Sequence, residues 1–253
     1  SDSPHLFFSG YDSRPGKGGE WFQLFQIGFG GIPGRPIGDG PDGHSLWPGF
    51  TNVPNEFIES YYPLRIERYE TIPDSGGAGL HRGGNGLTVA YRFLCDGDVG
   101  IHDDRWLTYP WGVLGGDTGL RSTKKIVRSD GSEEWLPGKA EGIKVKTGDV
   151  LYFNTWGGGG WGNPLARDPE LVRQDVRRRL VTVEGAKRYG VILDGDGAVD
   201  SEKTETLRAE LKVAVGEPSL FNFGGDLEDI RSRCEAETHL PAPVKPIFKN
   251  AVN

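Results

Sequence analysis

The sequence predicts an α+β protein, in which a mainly β unit rich in glycine and aromatic residues is followed by a helical C-terminal appendage. All seven tryptophans and 33 of the 40 glycines lie in residues 1–164, where short apolar runs alternate in period two between turn dipeptides. From residue 165 onward the chain is charged, and its apolar residues recur at helical spacing. We therefore predict a β unit at 1–164 and a helical tail at 165–253.

The predicted strands follow one another between glycine-rich connections. Residues 20–27, EWFQLFQI, form a dense apolar run that predicts a strand buried on both faces. Residues 62–72 alternate in period two and predict a further strand. The dipeptides Asp96-Gly97 and Asp130-Gly131 predict hairpin turns, because these residue types tolerate a positive φ.

The tail begins with a clear helix start. Asp168 is a predicted N-cap and Pro169 takes the first helical position, ahead of an amphipathic segment that extends to Leu180. The same reasoning predicts three further helices, at residues 182–188, 201–215 and 226–237. Residues 239–253 contain three prolines and predict an extended arm that lies on a neighbouring chain.

Composition excludes some classes of function. A net charge of -7 argues against nucleic acid as a partner, because phosphate binding needs clustered lysine and arginine. No apolar run approaches the ~20 residues of a membrane span. Cys95 and Cys234 have no metal-binding spacing and predict free thiols in a cytoplasmic protein, with a single disulfide as the alternative. The absence of methionine indicates a processed product or a fragment.

The most informative connection is the segment at residues 27–55. Its eight glycines and five prolines exclude a helix, and its apolar residues exclude a solvated linker. It therefore predicts an ordered, partly buried loop, which in a compact domain is usually functional. Asp39, Asp42 and His44 are the candidate catalytic residues of this loop, with Asp42 placed to orient one ring nitrogen of His44. The alternative is that the aspartates only cap turns.

A second group of candidates follows the strand that ends at His102. Asp104 and Arg105 are a candidate catalytic carboxylate and anion clamp, and the alternative is an arginine–carboxylate pair that closes the hairpin. Elsewhere, the candidate substrate-binding residues are Asn52, Arg82 and Trp111.

Taken together, the candidate residues suit polarisation of a carbonyl group, or proton transfer by His44 between carboxylates. The chain shows no GxSxG, CxxC or HExxH motif, and we predict no metal ligands within it. The run of four glycines at residues 157–160 leaves two interpretations open, an anion site made of backbone amides or a hinge between subunits. From the residues alone, an enzyme subunit and a β-rich assembly module are equally supported.

The order of several motifs resembles a known family. PLRIERY, DSGGAG, RGGNG, PWG, GGGGWG and DPE occur in sequence, and over residues 5–240 the chain resembles the C-terminal third of the hydantoinase B/oxoprolinase family. That family includes B-type subunits of N-methylhydantoinase, ATP-dependent lactam hydrolases, and the acetone and acetophenone carboxylases. The HSLWP and HDDRW variants are more similar to the carboxylase branch.

The resemblance implies a subunit of an ATP-dependent carboxylase or cyclic-amide hydrolase. ATP would phosphorylate a carbonyl group or bicarbonate before carboxylation or ring opening of a small carbonyl, lactam or hydantoin-like substrate. The H-x-x-D metal motif of the family's N-terminal part is absent here. The divalent metal is therefore expected on a larger B-type partner and ATP on an A-type subunit, with this chain inactive alone. The alternative is a non-catalytic assembly subunit of the same complex.

Overall fold

A computed structural model describes residues 4–44, 51–215 and 219–244. It confirms the α+β prediction, with antiparallel sheets in the β unit and most of the helix in the tail. In chain order the elements are β1 (His5–Tyr11), β2 (Trp21–Ile27), α1 (Asn55–Tyr61), β3 (Leu64–Thr71), β4 (Leu87–Phe93), β5 (Gly97–His102), β6 (Gly112–Val113), β7 (Thr123–Val127), β8 (Glu133–Leu136), β9 (Lys139–Val145), β10 (Val150–Asn154), a 3₁₀ turn (Pro164–Ala166), α2 (Pro169–Arg177), a 3₁₀ turn (Gly185–Tyr189), α3 (Ser201–Val215), β11 (Phe221–Asn222) and α4 (Leu227–Thr238).

Two antiparallel sheets form the body of the β unit. One has the strand order β2-β1-β5-β9 and the other β3-β4-β10-β7-β8. Their inner faces share one hydrophobic core, in which the ring of Phe8 lies 4.7 Å from that of Phe93. Helix α1 adds Ile58 to this core. Period-two alternation in each strand supplies one apolar face, and the two faces bury each other.

Strand β2 departs from the sequence prediction. Only alternate residues such as Phe22 and Leu24 face the core, while Trp21 is 58% exposed and Phe25 is 49% exposed. The prediction of burial on both faces is wrong, because a single sheet packs against this one and β2 lies at its edge.

The glycine-rich connections meet beside the sheets and form what we call the glycine core. Its central segment, residues 155–162, is surrounded by residues 28–44, 73–86 and 110–119. Each of its four successive glycines faces a main-chain carbonyl, whose oxygen lies 1.6 to 2.2 Å from where a Cβ would stand: Ser75 for Gly157, Ile32 for Gly158, Trp111 for Gly159 and Ala78 for Gly160.

The direction in which the residues of the central segment point repeats every three residues, because Gly157 and Gly160 contact the same neighbouring segment. Three residues per turn is the geometry of an extended polyproline II helix, which makes its hydrogen bonds to neighbours rather than internally. The amides of Gly157, Gly158 and Gly160 donate to main-chain carbonyls of Leu120, Gly84 and Asp117. These amides are therefore part of the core, and the interpretation of the run as an open anion site is wrong.

The tail packs directly on the glycine core. Ala78 of the core shares a second hydrophobic cluster with five buried tail residues: Val172, Val181, Ala186, Tyr189 and Val191. Helix α3 has the predicted bounds, and α4 differs from its prediction by one residue at each end.

Two tail predictions need correction. Helix α2 ends at Arg177 rather than Leu180, because the chain turns into a left-handed conformation at Arg179. The segment predicted as a helix at 182–188 is a short 3₁₀ turn. Of the predicted C-terminal arm, residues 245–253 lie outside the described residues.

The two cysteines agree with the thiol prediction, since Cys95 and Cys234 are both free and buried. No helix in the described parts of the chain combines the length and apolar character needed to cross a membrane.

Candidate functional site

Three of the predicted site residues come together on the glycine core. The buried Arg82 donates from Nη1 to Asp42 Oδ1 at 2.8 Å, and its main-chain amide donates to Asp39 Oδ1 at 2.8 Å. The amide of Asn85 also donates to Asp42 Oδ1, at 2.7 Å. Both aspartates of the 27–55 segment are thus hydrogen-bonded to the neighbouring glycine-rich segment.

Two tail residues that sequence reasoning missed complete this cluster. Arg167, which is buried, donates from both terminal nitrogens to the Asp39 carboxylate at 2.7 Å. It also donates to Asp175 of α2 at 2.8 Å. We call Asp39, Asp42, Arg82, Arg167 and Asp175 the arginine–aspartate network. One feature of the sequence could have indicated this cluster. Asp175 is a carboxylate that lies between Val172 and Val176 on the buried face of a predicted helix, where a charged side chain needs a partner.

Burial and pairing act in opposite directions on the network carboxylates. Burial raises the pKa of Asp39, but the hydrogen bonds and positive charges of Arg167 and Arg82 together outweigh burial and leave that pKa below its usual 3.8. For Asp175, burial outweighs the arginines and its pKa is raised. Burial disfavours the charged form of Arg82 and Arg167, yet their carboxylate partners raise both pKa values. The arginines therefore stay charged and join the loop to α2.

His44 lies at the limit of the first described range. Its amide donates to the carbonyl of Gly30 at 2.9 Å, and its side chain is exposed. The Asp42 carboxylate accepts from Arg82 and Asn85, and these bonds give no support to its expected role of orienting the His44 ring. The catalytic role of His44 stays a prediction. Asn52 is half-buried, and its Oδ1 lies 3.4 Å from Gln26 Nε2.

Two other predicted residues, Arg105 and Trp111, line a common cavity of about 210 Å³ at the edge of the glycine core. The described lining residues supply apolar and glycine walls with one charged side chain: Gly31, Pro33, Arg105, Pro110, Trp111, Val113, Trp156 and Gly158. A main-chain bond from Ser122 to the carbonyl of Arg105 holds that residue in place.

The tail supports one wall of this cavity. The ring of Trp111 meets that of Phe223 edge-on at 5.0 Å and that of Phe221 at 6.3 Å. Strand β11, which carries Phe221, pairs with β6 directly after Trp111. The amide of Leu114 donates to the carbonyl of Leu220 at 2.9 Å. Sequence reasoning found Trp111 but not its tail partners, since the pairing joins distant segments.

Asp104 is placed away from that cavity. Its carboxylate lies 2.8 Å from the ammonium of Lys139 on β9, and both residues line a different cavity of about 510 Å³. The neighbouring Asp103 is buried, accepts from the Ser122 hydroxyl and lies against the Lys124 ammonium. The catalytic role of Asp104 stays a prediction.

The described residues do not form a metal site. Within ranges 4–44, 51–215 and 219–244, no group of three or more His, Cys, Asp or Glu side chains is arranged to hold an ion.

Sequence comparison defines the family. The model of the hydantoinase B/oxoprolinase family matches residues 1–164, and the chain belongs to this family. It is 34% identical over 190 residues to the B-type chain of a putative D-/L-hydantoinase from a Pseudomonas species, covering 74% of this chain and 32% of that protein. It is 30% identical over 220 residues to the acetophenone carboxylase delta subunit of Aromatoleum aromaticum, covering 73% and 32%.

Structural comparison agrees. The ATP-dependent caprolactamase from Pseudomonas jessenii superposes with a TM-score of 0.65 at 25% identity, covering 81% of this chain and 37% of that one. The chain thus spans about a third of the length of these relatives.

Proposed function

We propose that this chain is one subunit of a multi-subunit ATP-dependent enzyme, either a carboxylase or a cyclic-amide hydrolase, and that its loops line the reaction chamber. The hydantoinase and carboxylase subunits to which it is similar support this proposal. So does its structural similarity to a caprolactamase described as ATP-dependent.

The observation that carries the proposal is the cavity between Arg105 and Trp111. Its volume of about 210 Å³ is roughly seven times the ~30 Å³ that a water molecule occupies in the liquid. That space suits a small carbonyl compound, a lactam or a hydantoin-like ring. Arg105 would donate hydrogen bonds to a carbonyl oxygen that becomes negatively charged, and such charge-assisted bonds are stronger than neutral ones.

The other roles follow from their surroundings. His44, exposed beside Gly30, would transfer a proton at the chamber wall. Asn52 is proposed to contact the substrate. Asp104 is proposed to act as a catalytic carboxylate from the separate cavity that it lines. In the complex, ATP would bind the A-type subunit, and the divalent metal would bind a larger B-type partner. The chain would then be inactive alone, in a cytoplasmic complex.

One observation favours a second function, that of a non-catalytic assembly subunit. Asp39, Asp42 and Arg82 make hydrogen bonds within the arginine–aspartate network, which stabilises the fold. If the cavity and His44 proved irrelevant to turnover, the glycine core would serve as a scaffold for the chamber walls of the partners.

The test is reconstitution of the complex identified by native mass spectrometry from its own source. We expect Arg105→Gln to lower kcat/KM by about 100-fold or more, as loss of an oxyanion donor does. Arg65→Gln, which removes an exposed arginine of β3, is the matched control and should leave turnover unchanged.

Three results would count against the proposal. If Arg105→Gln and His44→Gln both stay within about threefold of wild type in the intact complex, less than about 1 kcal/mol of transition-state stabilisation was lost. The assembly-subunit function would then be preferred. ATP hydrolysis by the isolated chain above that of a His44→Ala variant would refute its inactivity alone. Purification without any partner subunit would refute the complex.

A further inference from the structure

The segment that carries Arg105 forms a wall between two cavities. Within residues 103–106, all of them described, Arg105 alone lines the cavity of about 210 Å³, whereas Asp103, Asp104 and Trp106 line the cavity of about 510 Å³. The segment is neither helix nor strand, and its backbone conformation therefore determines into which cavity the Arg105 side chain points. A misplacement of about 1 Å can cost an enzyme about 100-fold in rate, so a catalytic Arg105 needs a firmly held backbone.

Both main-chain groups of Arg105 are held by buried residues. Its amide donates to Asp103 Oδ1 at 3.1 Å, and its carbonyl accepts from the Ser122 amide at 2.9 Å. A side-chain bond to the amide two residues further on is an Asx turn, which aspartate forms readily. This turn differs from a surface turn, because the Asp103 side chain has no exposed area.

The Asp103 carboxylate is in turn fixed by two side chains from the start of β7. Its Oδ2 accepts from the Ser122 hydroxyl and lies against the Lys124 ammonium. The two carboxylate oxygens thus have different partners, since Oδ1 holds Arg105 and Oδ2 is held by Ser122 and Lys124. Hydrogen bonds of this supporting kind keep a functional residue in its productive geometry.

Lys124 occupies a position where a strand that faces a hydrophobic core would normally carry an apolar residue. It points inward on the same side of β7 as Ile126, and its ammonium lies 4.7 Å from the centre of the Phe153 ring. Burial lowers the pKa of Lys124, so its charge depends on the carboxylate beside it. Replacing a buried ion pair by apolar residues is often neutral or stabilising. Stability alone therefore gives no reason for this pair, and a positioning role accounts for it.

We propose that Asp103 is a positioning residue of the candidate site, which holds Arg105 toward the cavity of about 210 Å³ and is itself held by Lys124 and Ser122. This inference rests on the proposed function, in which Arg105 donates hydrogen bonds to a carbonyl oxygen of the substrate. Asp103 acts through Arg105, because its carboxylate oxygens are engaged by the Arg105 amide, Ser122 and Lys124.

The experiment compares two double variants in the reconstituted complex. Asp103→Leu/Lys124→Met and Asp103→Asn/Lys124→Met both remove the two buried charges and keep side chains of similar size. Only the second keeps a side-chain oxygen that can accept from the Arg105 amide. We expect the first to lower kcat by about tenfold or more with KM changed less than about threefold, because Arg105 acts on the transition state. The second should keep kcat within about threefold of wild type.

A double-mutant cycle separates positioning from a general loss of structure. When Arg105→Gln is added to both double variants, their kcat values should agree within about twofold, because the residue through which Asp103 acts is gone. Lys125→Met is the matched control on the same strand, where Lys125 pairs with Glu133 outside the core, and it should leave kcat unchanged. Circular dichroism and thermal melting establish that each variant is folded.

A measurement on the isolated wild-type chain requires no substitution. The Arg105 amide should exchange with solvent at least about 100-fold more slowly than the same amide in an unstructured peptide, because its hydrogen bond to Asp103 lies in a buried cluster. If the double variants do not fold, this measurement decides, and an Arg105 amide without protection would overturn the proposal.

The outcomes separate this inference from the proposed function. Equal kcat of the two double variants, while Arg105→Gln lowers turnover, would overturn the positioning role and leave the proposed function standing. A deficit of Asp103→Leu/Lys124→Met that persists in the Arg105→Gln background would show that Asp103 does not act through Arg105, and would also overturn it. Unchanged turnover in Arg105→Gln would overturn both, because Arg105 would then have no catalytic role to support.

Discussion

Gly159 shows how one residue type determines the geometry beside the candidate cavity. A Cβ at this position would lie 1.6 Å from the carbonyl oxygen of Trp111, and that oxygen belongs to backbone rather than to a side chain that can move aside. The close approach places the central segment against the residue that forms a cavity wall. Gly158, its neighbour, lines the same cavity.

We therefore expect Gly159→Ala to destabilise the protein by about 3 kcal/mol or more, because overpacking against fixed backbone forces a main-chain shift. Urea unfolding measures the effect. The matched control is Gly38→Ala in another glycine-rich segment, where a Cβ meets no atom within 4 Å. Equal stability of the two variants would contradict the close packing of the glycine core.

At the scale of elements, the arginine–aspartate network fastens the 28–44 segment to α2. The Asp39 carboxylate accepts hydrogen bonds from both terminal nitrogens of Arg167. Arg167 also donates to Asp175 on the helix. The pattern of the sequence predicted α2, since the Asp168 cap and Pro169 are local signals and both occupy the predicted positions. The sequence pattern did not predict that the network joins α2 to the 28–44 segment. Arg167 and Asp39 are 128 residues apart in the chain, and no local pattern relates them.

This network predicts a specific pH dependence. The folded-state pKa of Asp39 is depressed, so its stabilisation is present above the unfolded pKa of about 3.8 and is lost as pH falls through the folded value. Asp175 has a raised pKa and contributes with the opposite sign. We expect Asp39→Asn to be less stable than wild type at neutral pH, with the difference shrinking below pH ~4.

Urea unfolding of wild type and Asp39→Asn between neutral pH and the acid limit measures that difference. Asp196→Asn, at an exposed turn, serves as the control and should follow wild type. A difference between wild type and Asp39→Asn that stays constant down to the lowest pH would show that the ion pair with Arg167 does not stabilise the fold.

At the scale of the whole molecule, the β unit and the tail depend on each other. The family match ends at residue 164, where the sequence also predicts a boundary. Yet Arg167 and Asp175 of the tail pair with the β unit, and Tyr189 shares a buried cluster with Ala78. The division at 164 stays a prediction about domains, while the contacts across it are extensive.

We expect a chain truncated after residue 164 to lose its cooperative thermal transition. Truncation removes Arg167 and Asp175, and Asp39 and Arg82 lose the stabilisation that these charged partners give them. Loss of the apolar cluster adds to that cost. Circular dichroism melting and soluble yield measure the outcome. A chain ending at Val244 keeps the described contacts and should melt as the full chain does. A folded, cooperative 1–164 fragment would contradict this interdependence.

The hairpin predicted at Asp96-Gly97 does not form, because the flanking strands β4 and β5 lie in different sheets. Local sequence did determine the class of the fold, the capped start of α2, the bounds of α3, the hairpin at Asp130-Gly131 and the family of the protein. The first of these depend on periodicity, capping or turn residues within short stretches, and the family depends on the order of motifs along the chain. Tertiary structure alone decided that Asp39, Asp42 and Arg82 join a network with the tail, that Arg105 and Trp111 share a cavity, and that β2 keeps one aromatic face exposed. The reason is that these arrangements join segments far apart in the chain. Which face of a strand is covered, and which charge meets which, depends on neighbours that no local pattern encodes.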